Sequence, residues 1–307
     1  MALVQPQIVL IWNGQTLPWS VAKQECQAAG IPTLFLERGF FPDSMFIDPE
    51  GVNAASKFRR TYGLPDAPNS TSQESPKHDP QATDTKTDGD ALNILIPEQL
   101  DLDTNTILHC PNLQTNDQLL AELAGLEKSG KIPYFNYVYR PHPKQNAKFL
   151  VKQQRVPRHF RLDDNSTAEA LMTEADAMIT RNSAMGLEFA RLGKPTISLG
   201  NSIYTGLGFT RSAGPREMTL SETLQTLLTS SQMSTKEQKL LEDFDSRLRE
   251  GSHYFLRSTT PNERGANQRW QGYLKSETDN QPASFPVSSP PKLRIALATN
   301  QKIQKLS

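Results

Sequence analysis

Residues 182–186 have the composition of an anion-binding turn, because Asn182-Ser183-Ala184-Met185-Gly186 stands between a short apolar run and a segment with helical spacing. The first backbone N–H groups of a helix lack internal partners, and the helix dipole favours a negative ligand there. The Ser183 hydroxyl is a further donor, and Gly186 would let a phosphate approach the backbone closely. The simpler interpretation is that Asn182 or Ser183 only caps the helix. Glu188 would either accept hydrogen bonds from ribose hydroxyls or balance the positive start of the helix.

A second candidate is the stiff turn Arg140-Pro141-His142-Pro143, which follows an apolar and aromatic run. Two prolines leave the turn few conformers. Arg140 and His142 are both able to donate to a phosphate. The alternative is an ordinary structural or surface histidine.

Two carboxylates are candidates for acid–base or nucleophilic chemistry. Glu37 lies in Glu37-Arg38-Gly39 directly after an apolar run, and Asp48 opens the segment 48–53. Carboxylates at strand ends suit both kinds of catalysis. Two solvated turn acids would have the same spacing.

Elements that alternate between strand and helix must position these residues. Short apolar runs predict strands, and apolar spacing of three and four predicts helices. The predicted strands are 7–12, 32–36, 93–96, 134–139, 177–180 and 195–199. The predicted helices are 18–29, 115–129, one opening with a capping box at 166–169, 184–192, 221–229 and 235–250. The carboxyl ends of parallel strands share one sheet edge, where open α/β sheets bind ligands. The pattern therefore predicts an α/β protein with parallel sheets.

The chain is predicted to contain a partial N-terminal Rossmann-like domain (1–92), a nucleotide-binding Rossmann-like domain (93–275) and a loose tail (276–307). Residues 67–90 contain no Val, Ile, Leu, Met, Phe, Tyr, Trp or Cys. Such a segment buries too little apolar surface to offset its ordering entropy, so it is predicted to be a disordered loop.

Charge and cysteine content exclude several classes. The 307 residues carry 33 Lys and Arg against 33 Asp and Glu, so no net field favours nucleic acid. The two cysteines form no CxxC motif, which indicates a reducing compartment. We find no signal peptide and no apolar run of spanning length, so we expect a cytoplasmic protein, with peripheral association at the inner membrane as a further expectation.

Six short motifs in a fixed order resemble those of the capsular polysaccharide biosynthesis and export family, which includes bacterial Kdo transferases. They are Trp12-Asn13-Gly14, Leu36-Glu37-Arg38-Gly39-Phe40, Ile47 to Asn53, Ile94-Leu95-Ile96-Pro97 with Gln99, Arg140 to Pro143, and Thr180 to Glu188 continuing to Tyr204. The resemblance covers roughly residues 7–62 and 92–215.

This resemblance implies a GT-B-like fold, in which two Rossmann-type domains face a cleft, and a CMP-activated Kdo or related sugar acid as donor. The His142-Pro143 pair and the Asn182-Ser183 turn would hold the cytidine phosphate, while Glu188 would face the ribose. Glu37 would sit near the anomeric carbon. The remaining motif positions are candidate cleft residues: Asn13, Gly14, Asn53, Gln99 and Tyr204.

Two departures from the family pattern keep alternatives open. Relatives carry Glu-Asp-Gly where this chain has Glu37-Arg38-Gly39, and the N-terminal domain looks truncated. The leading hypothesis is a glycosyltransferase that acts on a glycolipid or glycan acceptor, without a metal ion or another cofactor. The alternatives are a non-catalytic capsule assembly or export factor that keeps the nucleotide site, and an enzyme for another phosphorylated ligand, such as a nucleotide-sugar epimerase.

Overall fold

The computed structural model of the protein describes residues 6–62, 91–143, 156–213 and 219–279. The described residues fall into two compact units: those up to residue 62 and from residue 244 onward form unit 1, and those between residues 91 and 243 form unit 2. The predicted loop 67–90 and the part of the predicted tail beyond residue 279 lie outside the described residues.

Strands and helices alternate along most of the described chain. The strands are β1 (Val9–Trp12), β2 (Thr33–Arg38), β3 (Ser44–Asp48), β4 (Asn93–Pro97), β5 (Asn136–Arg140), β6 (Phe160–Leu162), β7 (Ala177–Thr180), β8 (Thr196–Ser198), β9 (Arg211–Ser212) and β10 (His253–Phe255). The helices are α1 (Trp19–Ala28), α2 (Lys57–Thr61), α3 (Thr104–His109), α4 (Asn116–Lys128), α5 (Ala168–Glu174), α6 (Ala184–Ala190), α7 (Leu220–Thr229), α8 (Thr235–Ser252) and α9 (Pro261–Asp279), with a 3₁₀ turn at Asn53–Ala55. None of these described helices is both long and apolar enough to span a membrane.

Unit 1 contains a four-stranded sheet in the order β1-β2-β3-β10. Strands β1 and β2 pair in parallel across α1, as the β-α-β pattern predicts. The sheet is not parallel throughout, however, because β3 is antiparallel to β2 and β10 is antiparallel to β3. The connection from β2 to β3 is only residues 39–43, too short for the crossover that parallel pairing needs.

The division between the units differs from the predicted boundaries. The sequence pattern places residues 244–275 in the second domain, but they group with unit 1, in which β10 pairs with β3. Helix α9 continues to Asp279, past the predicted start of the tail at residue 276.

Unit 2 contains a six-stranded parallel sheet in the order β6-β5-β4-β7-β8-β9. The predicted α/β class is confirmed, and this strand order is that of a Rossmann-type sheet. Apolar side chains on one face, including Ile94 and Ile179, pack with α4 and α7. The other face, including Leu95 and Met178, packs with α5 and α6.

The strand order reverses between β4 and β7. The chain runs from β4 outward to β6, returns to β7 on the other side of β4, and runs outward again to β9. The loops that follow β4 and β7 therefore leave the sheet in opposite directions. Open α/β sheets bind ligands in the crevice at such a switch point.

Helix α5 begins one residue later than the predicted capping box. Thr167 is the N-cap, and its hydroxyl accepts the Ala170 N–H. Ser166 belongs to the preceding turn, where its hydroxyl donates to Asp163 at 3.0 Å.

Candidate functional site

Gln99, in the loop after β4, binds the start of the loop after β7. Its side-chain oxygen accepts the N–H groups of Arg181 and Asn182 at 2.9 and 3.0 Å, and the Thr180 hydroxyl at 2.9 Å. Its amide nitrogen donates to Asn182 Oδ1 at 2.8 Å. One side chain therefore joins the two loops that flank the switch point.

Arg181 reinforces this connection from inside the unit. Its guanidinium is 1 % exposed and pairs with Asp101 Oδ1 at 2.9 Å. It also donates to the Gln99 and Gln114 carbonyls and to Asn116 Oδ1. Breaking this pair would leave the buried Arg181 charge uncompensated, so the pair disfavours separation of the two loops. We refer to Gln99, Asp101, Asn116, Arg181 and Asn182 as the switch-point network.

The start of α6 is less open to an anion than the sequence predicts. The Arg181 and Asn182 N–H groups are bound by Gln99, and the Ser183 N–H donates to the Thr180 hydroxyl at 3.1 Å. Ser183 is the N-cap, whose hydroxyl accepts the Met185 N–H at 3.2 Å. The expectation of several outward-pointing N–H groups is therefore corrected. Since α6 has only seven residues, its dipole adds little.

Gly186 lacks a side chain for a packing reason. A Cβ atom there would lie 2.3 Å from the Tyr204 hydroxyl and 2.9 Å from Thr180 Cγ2. Tyr204 is fully buried, and its hydroxyl donates to the Ser183 carbonyl at 2.6 Å. Burial raises the pKa of Tyr204, so the phenol stays protonated for this bond. Gly186 therefore accommodates Tyr204, which gives it a packing role independent of the predicted close approach of a phosphate.

The other residues of this turn differ in their exposure. Asn182 is 2 % exposed, and its amide donates to the Asn105 and Asn201 carbonyls. Ser183 and Met185 are half-buried, while Ala184 and Glu188 are exposed. Of the predicted donor contacts in this turn, an incoming ligand can therefore reach exposed Ala184 and Glu188 and half-buried Ser183 and Met185, but not buried Asn182 and Gly186.

The Arg140-Pro141-His142-Pro143 turn lies at the same edge of the sheet, at the end of β5. Arg140 and His142 are half-buried and Pro143 is exposed. Strands β5 and β7 flank β4, so their ends are about 10 Å apart at the usual strand spacing. That separation is compatible with a nucleotide phosphate between His142 and Ser183.

In unit 1, Glu37 is held by Asn13. The Asn13 amide donates to Glu37 Oε2 at 3.0 Å, and the Arg38 N–H donates to Oε1 at 3.1 Å. The neighbouring Gly14 has a φ of 75°, and a Cβ atom there would lie 2.4 Å from the Phe35 ring. Side chains alternate faces along a strand, so the exposed Arg38 guanidinium leaves β2 on the face opposite Glu37.

Asp48, the second candidate carboxylate, anchors a loop. It is 1 % exposed, and its Oδ1 accepts the N–H groups of Glu50, Gly51 and Lys57 while Oδ2 accepts that of Phe58. Burial raises the pKa of the Asp48 carboxyl, and the N–H groups oppose that effect. Asn53 opens the 3₁₀ turn of this loop, with a φ of 53°. Asp48 therefore has its hydrogen-bonding capacity engaged by the backbone.

Sequence reasoning missed Arg181 and Glu98 as parts of this edge. Both adjoin predicted strands, and Glu98 is 4 % exposed despite its charge. The sequence feature that could have identified both residues is a charged side chain at the end of an apolar strand. The sequence does not show what Glu98 contacts. Its carboxylate accepts the His142 N–H, which lies 44 residues further along the chain.

Unit 2 thus belongs to the Rossmann-type α/β class, with polar residues concentrated at a switch point. A family model described as "Capsule polysaccharide biosynthesis protein" matches residues 70–237, more than half of the chain. The chain belongs to this capsule polysaccharide biosynthesis family.

Known proteins resemble the chain at low identity. FixF of Sinorhizobium fredii (strain NBRC 101917 / NGR234) is 28 % identical over 206 residues, which cover 64 % of this chain and 49 % of FixF. The chain thus spans about half the length of this relative.

Two solved structures from Thermosulfurimonas dismutans KpsC are also similar. Its β-Kdo 2,7 transferase matches at 19 % identity and a TM-score of 0.43, covering 78 % of this chain and 84 % of that one. Its β-Kdo 2,4 transferase matches at 18 % identity and a TM-score of 0.47, covering 76 % and 86 %.

Proposed function

We propose that the protein is a glycosyltransferase of capsular polysaccharide biosynthesis, which transfers Kdo or a related sugar acid from a CMP-activated donor to a glycolipid or glycan acceptor. The observation that carries the proposal is the switch point between β4 and β7, with Arg140 and His142 on one side and Ser183 on the other. Family membership supports the biosynthetic context.

The proposed chemistry is displacement of CMP by an acceptor hydroxyl. Arg140, His142 and the Ser183 hydroxyl would stabilise the charge that develops on the leaving phosphate, an electrostatic task. Glu37 would act as the base or the nucleophile. We propose a metal-independent reaction that uses no cofactor besides the donor, by a cytoplasmic protein with peripheral association at the inner membrane.

A second candidate function is a non-catalytic capsule assembly or export factor. Two observations favour it. At the start of α6 the N–H groups of Ser183, Met185 and Gly186 are already bound within unit 2, and Arg38 stands where the family resemblance implies a second carboxylate. Such a factor would bind the nucleotide without transferring the sugar.

Nucleotide binding tests the site before any acceptor is known. Calorimetry with CMP, UDP, GDP and ADP should show a preference for CMP. His142→Ala and Ser183→Ala should each weaken CMP binding roughly 10- to 150-fold, the equivalent of about 1.5–3 kcal/mol for one charge-assisted contact. His159→Ala is the matched control, because this exposed histidine precedes β6 at the opposite sheet edge.

The outcomes separate the candidate functions. CMP preference together with release of CMP from CMP-Kdo in the presence of acceptor supports the transferase. CMP binding with no transfer from any CMP-sugar acid supports the assembly factor. Preference for UDP, or unchanged CMP affinity in both site variants, contradicts the proposed donor site.

A further inference from the structure

Glu98 holds the Arg140–His142 turn at two points. Its backbone N–H donates to the Arg140 carbonyl at 2.9 Å. Its carboxylate Oε2 accepts the His142 N–H at 2.7 Å. The two contacts bracket Pro141, whose ring already fixes one backbone angle. The backbone that carries His142 is thus fixed on both sides by one residue of the adjacent strand end.

This role is performed by a buried carboxyl group, whose removal from water is costly. Glu98 is 4 % exposed, and besides accepting the His142 N–H its carboxyl group faces the buried Tyr139 hydroxyl. Burial and the adjacent Glu98 carboxylate both raise the pKa of Tyr139, so the phenol beside it stays neutral. Burying a carboxyl group lowers stability unless its contacts offset the cost of desolvation. If packing were the only requirement, a neutral side chain would fill this position at a lower desolvation cost. The presence of Glu98 therefore points to a role in the site.

We infer that Glu98 is a positioning residue, which fixes His142 so that its imidazole meets the phosphate of the nucleotide donor. This inference rests on the proposed function. A side chain that is already held in place binds its ligand more tightly, because little conformational entropy is lost when the ligand arrives. Glu98 itself acts through the His142 backbone and touches no ligand.

Glu127 provides a matched control within unit 2. It is 5 % exposed, its Oε2 accepts the Arg158 N–H at 3.0 Å, and its Oε1 lacks a partner among the described residues. Arg158 precedes β6, so this contact lies at the amino edge of the sheet, opposite His142. Removing either carboxylate deletes the same kind of bond, but only Glu98 adjoins the proposed phosphate site.

The experiment compares binding of CMP and cytidine, because their affinity ratio isolates the phosphate contribution. Glu98→Leu should lower this ratio at least about 10-fold, as His142→Ala does. Glu98→Gln should retain most of it, since the amide oxygen still accepts the His142 N–H. Glu127→Leu should leave the ratio unchanged. Adding His142→Ala to Glu98→Leu should cause no further loss, because both changes remove the same contact.

Amide hydrogen exchange tests the structural step without a ligand. The His142 N–H should exchange faster in Glu98→Leu than in wild type and should stay protected in Glu127→Leu. Equal protection in all three proteins would overturn the inference. A wild type that discriminates CMP from cytidine while Glu98→Leu keeps the full ratio would also overturn it. A wild type that binds both ligands equally would overturn the proposed function, and the phosphate role of Glu98 with it.

Discussion

The Asn13 side chain donates to Glu37 Oε2 at 3.0 Å, and the orientation of its amide is set by a second bond. Asn13 Oδ1 accepts the Gln15 N–H at 3.1 Å, so the nitrogen must face Glu37. Asn13 has a φ of 61°, a conformation that asparagine tolerates better than most residues. The turn after β1 thus presents one defined donor to the proposed catalytic carboxylate.

Asn13→Asp should reduce sugar transfer at least about 10-fold while CMP affinity stays unchanged. Aspartate keeps the size, the tolerance of positive φ and the bond to Gln15, but it places a second carboxylate against Glu37. The loss corresponds to one hydrogen bond to a charged group. The measurement is steady-state transfer from CMP-Kdo, with unfolding curves to show that the variant is folded. Transfer at the wild-type rate would mean that this contact does not orient the reacting group.

Glu37→Gln should reduce transfer by at least ~100-fold, the low end for a positioned acid–base group. Glutamine keeps the shape of the side chain and an oxygen that accepts the Asn13 bond, but it cannot take up a proton or attack as an anion. CMP binding should survive, because the proposed phosphate contacts are in unit 2. Wild-type transfer by this variant would exclude Glu37 as the catalytic carboxylate.

The sequence predicts the four central strands of the unit 2 sheet because their signal is local, but it predicts neither of the short edge strands, β6 and β9. Apolar runs mark β4, β5, β7 and β8, and the intervening segments have helical spacing. It does not predict β3 or β10, which are short and pair with each other from distant parts of the chain. A three-residue strand such as β10 has no periodicity to detect and depends on the partner that aligns it.

In the candidate site, too, contacts between residues far apart in the chain are not visible in the sequence. The sequence identifies the residues at the carboxyl edge of the sheet, including Ser183 and His142. It does not show that Gln99 binds the N–H groups after β7, because Gln99 and Asn182 are 83 positions apart. Which N–H groups remain available to a ligand is decided by such distant partners. The helix-start pattern alone therefore overestimates the anion site.

Asp48→Asn should destabilise the protein by about 1–3 kcal/mol, the cost of leaving a buried group unsatisfied. The new amide nitrogen would face either the Phe58 N–H or the three N–H groups that Oδ1 accepts. Asp43→Asn is the control, since Asp43 is exposed and has a φ of 49° that asparagine tolerates. Urea unfolding measures both variants. Equal stability of Asp48→Asn and wild type would show that these N–H contacts contribute little.

Gly186→Ala separates the packing explanation of this glycine from the ligand explanation. The added methyl group would meet the Tyr204 hydroxyl at 2.3 Å and its Cζ at 3.0 Å, inside a fully buried site. Overpacking of this kind costs about 1–3 kcal/mol in the free energy of unfolding. If the glycine served only the approach of a phosphate, the substitution would leave stability intact and lower CMP affinity alone.

Tyr204→Phe tests whether the Tyr204 hydroxyl is what requires a glycine at position 186. It removes the hydroxyl that donates to the Ser183 carbonyl, which should cost about 0.5–1.5 kcal/mol by itself. It also removes the atom nearest the added methyl group, so Gly186→Ala should cost less in this background. Urea unfolding of the wild type, both single variants and the double variant should give a coupling of at least about 0.5 kcal/mol between the sites. Additive losses would show that Tyr204 is not what requires a glycine at position 186.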